Sequence, residues 1–78
     1  MTVERRGLVS EALVFPGSKS ERHAVVLDSD GERFVLRRVG GSPFSDSVVE
    51  GLVGKQLRAI GHVNGADFIM TDWSEVDP

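Results

Sequence analysis

Seventy-eight residues, 40% of them hydrophobic and 27% charged, describe a soluble globular chain with room for one small core. The absence of cysteine excludes disulfides and thiolate metal sites, so stability has to come from packing and closure. A net charge of −3 is a poor footprint for a nucleic-acid binder, and no apolar run approaches the roughly 20 residues that cross a bilayer.

The start, Met1-Thr2-Val3-Glu4-Arg5-Arg6, has no apolar stretch of the signal-peptide kind, and a cytoplasmic location is expected. Residues 7–15 mix alternation with β-branched side chains and end in Pro16-Gly17-Ser18-Lys19-Ser20, which reads as a first strand and its loop. Residues 21–29 and 32–39 flank Asp30-Gly31, a dipeptide suited to a two-residue type I′ hairpin. Such a loop fixes register. It sets Leu27 against Phe34 and Val25 against Leu36 on the expected interior face. The expected outer face pairs Asp28 with Arg33, Val26 with Val35 and Ala24 with Arg37, with Arg22 beyond them.

Gly40-Gly41-Ser42-Pro43 breaks the third strand, and a helix over residues 43–53 follows, with Ser42 as N-cap and proline in the first turn. Starting instead from Ser45 as cap shortens it by about one turn. Phe44, Val48, Val49, Leu52 and Val53 form its apolar stripe, Asp46 complements its dipole, and Gly54 ends it. Residues 55–63 and 66–73 surround Asn64-Gly65, a strong hairpin signal. With those two residues as the loop, Phe68 lies opposite Gly61 and His62 opposite Asp67. Leu57, Ala59, Gly61, Val63, Ala66, Phe68 and Met70 then face inward, and Ile60, Ile69 and Trp73 face outward. Residues 74–78 read as an acidic tail that frays.

Little in the chain points to catalysis. Gly17-Ser18-Lys19-Ser20 lacks the spacing of a phosphate loop, and no nucleophile sits in a recognisable setting. His23 and His62 lack the neighbours of a metal site, so neither a metal nor a cofactor is implied. His62 facing Asp67 has the elements of a dyad, but a solvated cross-strand pair is the plainer reading. Gly7, Gly40, Gly41 and Gly61 serve as the kinks that closure of a sheet requires.

Three strands, a helix and two strands, ending in LVGKQLRAIGHVNGADFIM, resemble the closing hairpin and element order of small bacterial proteins of the OB-fold superfamily. The resemblance spans nearly the whole chain as a pattern. It implies an all-β fold, a five-stranded OB-like closed barrel with one short helix between strands three and four, as one domain. An SH3-like barrel and a five-stranded α+β sandwich are the competing architectures. The resemblance also makes the outer face of strands two and three the surface on which ligands lie. That face carries Arg22, Val26, Arg33, Val35 and Arg37, with Lys19 in the adjoining loop and Arg58 and Trp73 on the second hairpin. The four phenylalanines read as core or helix anchors, so the stacking rings of a single-strand binder are missing. The expected role is therefore a non-enzymatic module that docks a protein partner, as a monomer or weak homodimer. Single-stranded nucleic acid is the alternative ligand, with Lys19, Arg22, Arg33, Arg37 and Arg58 tracking phosphates. Arg38, with Gly40-Gly41, either caps the end of the core or helps to form a contact at the rim.

Overall fold

A computed structural model describes residues 2–42 and 46–76. Its strands are β1 (Val3–Val14), β2 (Arg22–Ser29), β3 (Glu32–Arg38), β4 (Gln56–Asn64) and β5 (Asp67–Glu75), with a four-residue helix, α1 (Ser47–Glu50), between β3 and β4. The strands form a ring in the order β1-β2-β3-β5-β4, completed by β4 pairing back onto β1. All contacts are antiparallel except β3 with β5. This all-β arrangement, with its helix after the third strand, is compatible with an OB-like fold.

β1 holds the ring together because it serves two neighbours. Its second half, Leu8 to Val14, pairs with β2, and its first half, Val3 to Leu8, pairs with β4. The handover falls at Gly7, where a Cβ would run into the backbone carbonyl of Asp28. Only glycine lets the two strands approach this closely.

The first hairpin keeps its expected register, with Leu27 opposite Phe34, Val26 opposite Val35 and Asp28 opposite Arg33. Asp30 and Gly31 both have positive φ, as a type I′ turn requires. The ladder nevertheless stops at Val26 and Val35. The expected pairs of Val25 with Leu36 and Ala24 with Arg37 do not form part of it, because β3 turns away to run beside β5.

The second hairpin departs from expectation in two ways. Its loop is Gly65-Ala66 rather than Asn64-Gly65, so Asn64 opposes Asp67, His62 opposes Ile69 and Val63 opposes Phe68. Positive φ at Gly65 and not at Ala66 is the signature of a II′ turn, which explains why glycine takes the first central position. Gly61 therefore meets Met70 rather than Phe68, and His62 does not face Asp67. Further along, the register shifts at Ile60/Gly61: Gly61 opposes Met70, and Ile60 opposes Asp72. Thr71 is the extra residue of this bulge, and its hydroxyl donates to the Ile60 carbonyl at 3.2 Å. One extra residue reverses the alternation beyond it. Trp73 consequently lies opposite Ala59 and packs against the core, correcting its expected outward position.

β5 also continues past the expected end. Ser74 and Glu75 pair with Arg58 and Leu57, and the Val76 N–H donates to the Gln56 carbonyl at 2.9 Å. Strand pairing thus reaches into the expected tail as far as Val76, and the last two positions lie outside the described residues.

The helix is shorter than its apolar stripe suggested. Asp46 is the N-cap, accepting the Val48 N–H at 3.1 Å, so Ser42 does not cap α1. Val49 and Leu52 close over the core, whereas Val48 and Val53 are exposed. Pro43, Phe44 and Ser45, on which the earlier helix start and the Phe44 anchor depend, lie outside the described residues.

Two apolar clusters result. The interior one gathers Val9, Leu27, Phe34, Leu36, Val49, Leu52, Leu57, Ala59, Phe68 and Met70, with Phe34 and Phe68 in edge-to-face contact at 5.9 Å. The second lies on the outer face and holds Val14, Ala24, Val26 and Val35, flanked by Ala12.

Candidate functional site: the groove beside Phe15

Val26 and Val35 do not present the exposed patch expected of them: they are 0% and 6% exposed. Both pack in the outer cluster with Val14 and Ala24, flanked by Ala12, and the Val35 N–H donates to the Ala66 carbonyl at 2.8 Å where β3 runs beside the start of β5. What remains open is a groove of about 230 Å³ along the edge of the small cluster, lined by Leu13, Val14, Phe15, Arg33, Val35 and Ala66.

Phe15 is the feature that sequence reasoning missed. It is neither a core nor a helix anchor: it stands 41% exposed at the end of β1, beside the 46% exposed Leu13. Its φ of 52° puts it in the left-handed region, unusual for a bulky side chain and strained without a surrounding structure to impose it. The β1–β2 loop imposes it. The Phe15 carbonyl accepts both the Ser18 N–H at 3.2 Å and the Ser18 hydroxyl at 2.7 Å, and the Glu21 carboxylate accepts the Gly17 N–H at 3.3 Å. On its other side Phe15 borders a second depression with Lys19, Ser20, Glu21, Arg22 and Asp67. The sequence signal was available: a phenylalanine directly before Pro16-Gly17 belongs to a turn rather than to a strand interior.

The cations expected to act together are mostly engaged with carboxylates. Arg33 donates from Nε to Asp28 at 2.8 Å, and Asp28 also accepts the Ser10 hydroxyl. Arg37 donates to Asp67 at 3.0 Å, which anchors the β4–β5 turn to β3. Arg58 is bound at 2.8 Å to Glu4, across the β1–β4 ladder and away from the groove. Arg22 lies at the start of β2 in contact with the second depression. Lys19 is exposed in the loop and has no carboxylate partner among the described residues. The structure therefore brings Lys19, Arg22, Arg33 and Val35 around Phe15, and sets Arg58 and Trp73 elsewhere.

Arg38 takes the structural role open to it. Its Nε lies 2.7 Å from the Asp46 carboxylate, which ties the end of β3 to the residue that caps α1. A Cβ on Gly41 would collide with that same carboxylate. Gly41 thus makes room for the ion pair.

No protein-family model matches the chain, and neither a curated protein nor a solved structure matches it.

Proposed function

We propose that the ring is an OB-type closed barrel and that the chain is a non-enzymatic module that docks a protein partner at the groove beside Phe15. The observation that carries this reading is the pairing of an open apolar groove with cations already satisfied by carboxylates. An apolar patch rimmed by polar groups is the usual form of a protein contact. A strand of phosphates asks instead for several uncommitted cations.

The reading is tested by photo-crosslinking from a benzophenone amino acid placed at Ala66 in the groove or, as control, at Thr71 on the far part of β5. A protein adduct formed from position 66 and not from position 71 is the expected result. An adduct that disappears on nuclease treatment, or none from either position, overturns it. Single-stranded nucleic acid is the second reading, favoured by an exposed ring beside Lys19. Oligonucleotide anisotropy that falls steeply with salt would establish it in place of the first.

A further inference from the structure

The geometry points to Asn64 as a site of spontaneous covalent change, at which the β4–β5 turn converts a side-chain amide to an acid and thereby loosens the contact of β3 with β5. This inference goes beyond the docking reading and does not rest on it. Asparagine is one of the heat-labile side chains, and Asn64 is the only one in the sequence. The backbone nitrogen of Gly65 is its nearest internal nucleophile. That nitrogen bonds to the Asn64 Cγ, the C–N bond of the side-chain amide breaks, and ammonia departs with the proton that Gly65 gives up. Water then opens the resulting succinimide at one of its two carbonyls, leaving aspartate or isoaspartate at position 64.

Three features of the turn leave this route open. Asn64 ends β4 within an exposed run, residues 62–66, and no hydrogen bond among the described residues engages its side-chain amide. The Gly65 N–H belongs to the two-residue loop, takes no part in the ladder and donates to no backbone carbonyl among the described residues. Nothing stands within 4 Å of the place a Cβ on Gly65 would occupy, so the ring has room to form. The product falls where it matters. Asn64 faces Asp67, so an acid there sets two carboxylates opposite one another across the ladder. Asp67 holds Arg37 at 3.0 Å, and the Ala66 carbonyl beside it accepts the Val35 N–H at 2.8 Å. Isoaspartate also lengthens the main chain by one carbon, in the loop that sets the register of both residues. The parallel pairing of β3 with β5 begins at this turn, with Val35 beside Asp67.

The test is to incubate the folded full chain and the blocked peptide Val-Asn-Gly-Ala side by side at mildly alkaline pH, and to follow the replacement of amide by acid with mass spectrometry and peptide mapping. Isomerisation at Asp30-Gly31 leaves the mass unchanged and does not interfere. The folded chain is expected to change at position 64 at a rate within about tenfold of the peptide's, as befits an exposed turn. A slower rate would mean that the ladder holds Asn64 away from Gly65, and would overturn the proposal. Asn64→Gln should abolish the gain of acid, and a gain that persisted in this variant would overturn the assignment to Asn64. The aged chain, separated from the parent by its charge, should exchange the Val35 amide about tenfold faster or more, because its acceptor is carried by the altered turn. Unchanged exchange at Val35 would overturn the link to β3. Asn64→Asp carries the charge without the longer main chain, and its urea midpoint should lie between those of the parent and the isoaspartate form. A midpoint at or above the parent's would overturn the role of the opposed carboxylates.

Discussion

Two glycines show how a single missing side chain can be a structural requirement. A Cβ at Gly61 would fall on the Ile69 carbonyl, just as one at Gly7 would meet that of Asp28, and in both cases the obstacle is backbone and not a side chain that can swing aside. Gly61→Ala is therefore expected to destabilise the chain by about 1–3 kcal/mol, read from a lower urea midpoint at unchanged slope. Asp46 offers a finer dissection, because its carboxylate both caps α1 and pairs with Arg38. Asp46→Asn keeps the cap and loses the charge, whereas Asp46→Ala loses both. The alanine variant should be less stable than the asparagine variant by about 1 kcal/mol in the same denaturation experiment. At this scale the sequence was informative about the Asp28–Arg33 pair, which follows from the first turn. It was silent on Arg37 and Asp67, whose meeting depends on the parallel contact of β3 with β5.

Strands and turns were legible where a loop dictates geometry and obscure where a residue is inserted. Asp30-Gly31 fixed the first hairpin in register because both residues take the positive φ of one turn type. Gly65 admits two turns, one beginning at Asn64 and one at Gly65 itself, and the second was adopted. The bulge at Thr71 leaves no comparable trace in composition, and it alone decides that Trp73 faces the core. Trp73 is the sole tryptophan, so its emission should move to longer wavelength as the chain unfolds. Deleting Thr71 removes the extra residue and leaves Trp73 opposite Ala59, so the native emission should stay close to that of the parent, and a red-shifted native spectrum would show that the bulge does not lie at Thr71. The short helix was misjudged for a related reason: Val48 and Val53 fit an apolar stripe, yet among the described residues of that stripe only Val49 and Leu52 reach the interior. Val49→Ala is expected to cost about 1–3 kcal/mol and Val48→Ala to stay within about 0.5 kcal/mol of the parent, compared by thermal unfolding.

Across the whole molecule, the all-β class and the strand and helix order followed from periodicity and turns, while the candidate site did not. Reading the outer face of β2 and β3 as an open platform assumed that its valines stood clear of the neighbouring strand. Val26 and Val35 are instead buried in a cluster with Val14 and Ala24, flanked by Ala12, and Phe15 is an accessible ring. Such packing between strands is a tertiary event, invisible to alternation within one strand. The strand shared by two neighbours has a kinetic meaning as well. The link between Glu4 and Arg58 joins positions 54 apart, so the ring cannot be completed before β4 has been made and carried back to β1. Each hairpin can form locally, but completion waits on this distant docking, which places folding among the slower β topologies of milliseconds to seconds. Glu4→Ala should then slow folding and leave the unfolding rate nearly unchanged in stopped-flow measurements, as expected of a contact made in the docking that limits the rate. During synthesis, β1 would emerge well before β4 and spend longest among the strands without one of its two partners.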